Sequence, residues 1–152
     1  YFRSLSIRRD VLGNRHRDVA TSLNNIGRVY YMKSEFDNAL VAYHDALHTR
    51  RLLLGNDHLD VAATIYNAGQ TYHQKGDFER ALSNYIEFLK IAVPKVGRSH
   101  RDVSIMYKCI AQIYHEQRNY EKAIELYNNA LESGRSALGS CHPEVASTLN
   151  KL

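Results

Sequence analysis

Histidine, cysteine and carboxylate side chains carry much of the chemistry that proteins perform, and in this 152-residue chain the histidines stand out by their spacing. His16, His58, His100 and His142 recur every 42 residues. Shared metal binding fails on distance. Stacked helical units lie ~10 Å apart, whereas a zinc ion needs its ligands within about 2.1 Å. These histidines read instead as residues where a helix begins, bonding to the adjacent linker. His44 and His48 stand one helical turn apart, a spacing that can hold a metal, but only Asp45 is near to complete a site, so they read as a surface pair. Cys109 and His115, on one helix, fall on different faces, and the thiol reads as buried or half-buried. Cys141 neighbours His142 in a linker, without general-base geometry. There is no glycine-rich phosphate loop, no paired-cysteine zinc motif and no His-Glu-x-x-His helix. The expectation is a chain that is not an enzyme, with no catalytic residues, no metal and no cofactor.

Composition agrees with a folded chain: 44% hydrophobic and 24% charged residues. No apolar run approaches the ~20 residues of a membrane-spanning helix. Two cysteines cannot make a disulfide framework, so a reduced, intracellular, cytoplasmic setting is expected. The net charge of +4 is too mild to imply nucleic acid by itself.

The elements that position these residues follow from an internal repeat. Gly13, Gly55, Gly97 and Gly139 share the 42-residue period with the histidines. Tyr30, Tyr72 and Tyr114 repeat, as do Ala39, Ala81 and Ala123, and Tyr43, Tyr85 and Tyr127. Full units run 13–54, 55–96 and 97–138. Residues 1–12 read as the end of a preceding unit and 139–152 as the start of a further one, as in a fragment of a longer array. Each unit predicts two helices. Val19, Leu23, Ile26 and Tyr30 form one amphipathic stripe; Phe36, Ala39, Leu40, Tyr43 and Leu47 form the next, across the turn at Lys33-Ser34-Glu35. Gly27 and Gly69 sit inside the first helices, where Gly costs about 1 kcal/mol against Ala. Close approach of the paired helix is the expected compensation.

Leu23, Gly27, Tyr30, Ala39, Tyr43 and Ala46, with their equivalents, resemble the tetratricopeptide repeat. The 42-residue unit, its Gly…His-x-Asp-Val link and Leu23-Asn24-Asn25 are similar to the kinesin light chain form. The second and third units depart from it with Ile65-Tyr66-Asn67 and Tyr107-Lys108-Cys109. The resemblance implies an all-α fold: a right-handed superhelical solenoid of antiparallel helix pairs, with first helices lining a concave groove. Positions i, i+4 and i+7 of a helix share a face. Off the packing stripe that face carries Asn24, Arg28 and Tyr31 in the first unit, Tyr66, Gln70 and His73 in the second, and Lys108, Gln112 and His115 in the third. These positions match the family's concave ones. They suit a peptide: Asn and Gln bond its backbone, Arg28 and Lys108 pair with carboxylates, and the tyrosines offer flat area. The expectation is a protein-interaction scaffold for an acidic peptide or partner segment, with no small-molecule substrate and no membrane insertion. Two alternatives are self-association through open solenoid ends and nucleic-acid binding along a basic edge of Arg3, Arg8, Arg9, Arg15, Arg17, Arg50, Arg51, Arg98 and Arg101. Interspersed Asp10, Asp18, Asp57, Asp60 and Asp102 disfavour the latter.

Overall fold

The structure, a computed structural model, describes residues 11, 13 and 16–151. Its helices are α1 (Arg17–Met32), α2 (Phe36–Leu54), α3 (Leu59–Gln74), α4 (Phe78–Val96), α5 (Arg101–Glu116), α6 (Tyr120–Leu138) and α7 (Pro143–Leu149). Among the described residues there is no strand, and no helix is long and apolar enough to cross a membrane. The chain is all-α, built of helix pairs at the predicted 42-residue period. It divides into two compact units, residues 1–87 and 88–152, with the boundary inside α4.

Each first helix starts in the same way. His16, His58, His100 and His142 are the N-caps of α1, α3, α5 and α7, and the Nδ1 of each accepts the backbone N–H two residues on, at 3.0–3.2 Å. The expected bond to the adjacent linker is thus replaced by one to the helix's own first turn, where four N–H groups lack intrahelical partners. The acceptor must be a bare ring nitrogen, so the proton of the neutral ring sits on Nε2. Asp18, Asp60, Asp102 and Glu144 occupy the first turns, favourably placed against the helix dipole.

The first helices α1, α3 and α5 also end in the same way. Tyr30, Tyr72 and Tyr114 carbonyls accept from the N–H of Glu35, Asp77 and Asn119 at 2.8–2.9 Å. Tyr31, His73 and His115 carbonyls accept from Ser34, Gly76 and Arg118 at 2.9–3.0 Å. This is the Schellman arrangement, which requires a left-handed residue just past the helix. That residue is Gly76 in one turn (φ +77°), but Ser34 and Arg118 adopt it too, both at φ +61°.

In the first unit the predicted stripes form the core. Val19, Leu23 and Ile26 of α1 pack with Ala42 and Ala46 of α2, and Tyr30 closes the edge. Tyr43, 2% exposed, lies over Gly27, where an added Cβ would fall 2.5 Å from the ring. Tyr85 covers Gly69 at 2.7 Å. The glycines therefore admit a tyrosine ring from the paired helix. In the second unit the same place is taken by Ala111, clustered with Ala123 and Tyr127 and flanked by Tyr114 and Leu126.

Candidate binding faces of the first helices

The face of α1 begins at Asn24, half-buried, continues at exposed Arg28 and ends at half-buried Tyr31. On α3 the equivalent Tyr66, Gln70 and His73 are all half-buried. Within the first unit Asn24 meets α3 at a residue beside that face: the Asn67 side-chain amide donates to Asn24 Oδ1 at 3.0 Å, tying α1 to α3. Asn67 was not singled out from the sequence. Its signal is an offset of 43, one period plus one residue, shared by the ion pair of Arg17 with Asp60 at 3.2 Å and that of Arg101 with Glu144. A residue thus meets the position one further along in the next repeat, as expected where successive first helices pack side by side.

The polar groups are partly occupied. Gln70 Nε2 donates to Tyr66 Oη at 2.6 Å, which sets both side chains on α3. Asn24 gives its carbonyl oxygen to Asn67 and retains its NH2 as a donor for a ligand. The third position of each face does something unforeseen. Tyr31 packs against Phe36 (ring centroids 5.9 Å), His73 against Phe78 (5.8 Å) and His115 against Tyr120 (5.5 Å). These rings clasp the Schellman turn to the start of the second helix.

Arg28 lies near the Tyr43 hydroxyl. Burial pushes that hydroxyl up to about 12, and the Arg28 charge offsets part of the rise. The second unit presents half-buried Lys108 with exposed Gln112 and His115 on α5. Gln112 Nε2 donates to Glu116 Oε1 at 3.1 Å. Burial raises the Cys109 thiol to about 11, against the opposing charge of Lys108, while the hydrogen bond from Arg101 holds Glu144 below the usual carboxylate range, with Lys108 among the lesser contributors. That thiol is not a nucleophile at neutral pH.

The remaining candidates take structural places. His44 Nε2 shares a hydrogen bond with Tyr72 Oη at 3.2 Å, across α2 and α3. The basic edge is largely engaged in the protein itself. Arg17 pairs with Asp60, Arg51 with Glu87 at 2.6 Å, and Arg101 with Glu144. Arg50 is buried, donating at 2.7 Å to both the Asp60 carbonyl and Thr64 Oγ1. Arg3, Arg8, Arg9 and Arg15 lie outside the described residues.

Tetratricopeptide repeat models match residues 19–60, 62–92 and 102–152. A comparison with curated proteins gives no match. Among solved structures, BtubC (BKLC) from P. vanneervenii is similar at 25% identity and a TM-score of 0.80, over 91% of this chain and 55% of that one. This chain therefore spans about half of that relative's length. A Podosopora anserina protein described as a kinesin light chain with nearly identical TPR-like repeats aligns at 17% identity and a TM-score of 0.82, over 97% and 70% of the two chains. The N-terminal domain of stress-induced protein-1 from C. elegans aligns at 13% identity and a TM-score of 0.67, over 89% and 94%.

Proposed function

The chain belongs to the tetratricopeptide repeat family, and on that premise we propose that it is a non-catalytic protein-interaction scaffold whose first helices dock an acidic peptide segment. One observation carries the reading: the Asn67 to Asn24 hydrogen bond. It ties α1 to α3 and so supports reading Asn24, Arg28, Tyr66 and Gln70 as one surface of the first unit. That surface holds a cation with no carboxylate partner among the described residues, an amide donor and a half-buried phenol braced by Gln70. A peptide backbone needs donors and acceptors at this scale, and an acidic side chain needs the guanidinium. Lys108 and Gln112 offer the same chemistry on α5 of the second unit. Tyr31, His73 and His115 contribute as turn clasps that fix where the faces end.

Peptide-display selection on the parent chain, beside Arg28→Glu and Lys108→Glu variants, tests this. Acidic sequences should be enriched on the parent, and each charge reversal should weaken them at least tenfold, the scale of one charge-assisted hydrogen bond. Equal enrichment on parent and both variants would remove the first helices from the docking site.

A further inference from the structure

The third repeat breaks the pattern at one core position. Leu23 and Ile65 are buried there in the first two repeats, at 6% and 0% exposure. The third has Tyr107, half-buried, whose hydroxyl a dry core would penalise. Its ring lines a cavity of about 120 Å³, together with Arg98, Ser99, Asn129, Glu132 and Ser133. The linker before α5, α5 itself and α6 each supply part of the wall. The Ser133 hydroxyl donates to the carbonyl oxygens of Arg98 and His100, which holds the linker against α6. The other five side chains have no hydrogen bond, ion pair or ring contact among the described residues. Arg98, Ser99 and Glu132 are exposed and Tyr107 and Asn129 half-buried, so all five keep their polar groups open to solvent or to a ligand in the cavity they line.

We propose that this cavity binds a small free α-amino acid as its zwitterion. The argument is one of charge. Arg98 and Glu132 come from different elements and bring opposite signs to the same space. A phosphate or a simple carboxylate would suit Arg98 but face repulsion from Glu132, and a simple amine the reverse. A zwitterion pairs with both at once. The guanidinium fork matches a carboxylate, and Glu132 accepts from an ammonium. Ser99, Tyr107 and Asn129 can each donate or accept, so they can complete the shell of either group. Size agrees: a cavity of ~150 Å³ holds benzene, and the smaller amino acids are of that order. The cavity lies apart from the peptide-docking faces, because neither Gln112 nor His115 nor Lys108 lines it.

The test is an NMR titration of the chain with glycine, alanine, serine and aspartate, and with their N-acetyl and carboxamide derivatives and inorganic phosphate. At least one free amino acid should saturate with a Kd of about 1 mM or tighter, a reasonable affinity for so few atoms. Blocking either charge should weaken it at least tenfold, as should Arg98→Gln or Glu132→Gln. Both residues are exposed and unengaged, so these variants should keep the parent's thermal midpoint. Tyr107→Leu, which restores the residue type of the first repeat, should abolish binding while the circular dichroism stays helical. The proposal is overturned if no free amino acid saturates by ~10 mM, if the blocked derivatives or phosphate bind equally well, or if the charge variants bind like the parent.

Discussion

A histidine N-cap works only while Nδ1 is bare, so its contribution can be isolated by swapping the acceptor. His58→Ala should lower stability by about 1 kcal/mol and His58→Asn should restore most of it, read as urea midpoints. The regular histidines were legible in the sequence, but their partner was not. Capping patterns are keyed to Ser, Thr, Asp and Asn, and nothing in spacing alone distinguishes a helix's own N–H from a neighbouring linker. Buried ionisable groups give a second residue-scale prediction. The Tyr43 hydroxyl is held at about 12, against an ordinary 10.0, by burial. The unfolded phenol ionises first as pH rises, so its contribution is complete below pH ~10 and disappears towards pH ~12, amounting to about 2–3 kcal/mol. Cys109 has the same sign, raised from 9.0 to about 11. Tyr43→Phe should shift alkaline unfolding to higher pH. At neutral pH a thiol reagent should label exposed Cys141 quickly and Cys109 only on unfolding, read by mass spectrometry.

At the scale of elements, the helix pair was legible because three constraints repeat at one period: an apolar stripe, a small residue inside the first helix and a turn. Close approach at Gly27 and Gly69 was foreseen, and the partners prove to be Tyr43 and Tyr85. The aromatic clasps of Tyr31, His73 and His115 were not foreseen, because a face drawn from helical spacing ignores the start of the next helix. The turns themselves hold measurable strain. Ser34 and Arg118 occupy the left-handed region that Gly76 occupies freely. A side chain there costs roughly 1–2 kcal/mol, offset in part by the greater unfolded freedom of glycine. Arg118→Gly and Ser34→Gly should therefore each stabilise by about 0.5–1 kcal/mol, and Gly76→Ala should destabilise by a similar amount, measured by thermal or urea unfolding.

For the whole molecule, a repeat array is held by the repeats and by the contacts between neighbours, and those contacts are where this chain departs from its own period. Position 50 and its equivalents 92 and 134 carry Arg, Ala and Gly. In the first unit Arg50 reaches from α2 to the first turn of α3, its guanidinium bonded to the Asp60 carbonyl and Thr64 Oγ1. Burial lowers its pKa, and the Asp60 charge opposes that change. In the second unit Gly134 does the reverse. A Cβ there would fall 2.9 Å from Ser104 Oγ and 3.4 Å from Val145, so α6 joins α5 and α7 by close approach. A sequence period reveals that the two solutions stand at one position, but not that one bridges a gap and the other closes it; that depends on helix separation. The two sites should respond oppositely to exchange. Arg50→Gly removes a buried, satisfied cation, leaves a hole and strips one donor each from the Asp60 carbonyl and Thr64 Oγ1, which keep their bond to each other, a loss of about 3 kcal/mol. Arg50→Met fills the hole without a charge to desolvate and should cost much less. Gly134→Arg has no room for its side chain and should cost more than about 3 kcal/mol or unfold the second unit. Urea midpoints of the full chain measure all three; equal losses for Arg50→Gly and Arg50→Met would mean that volume is not what Arg50 supplies.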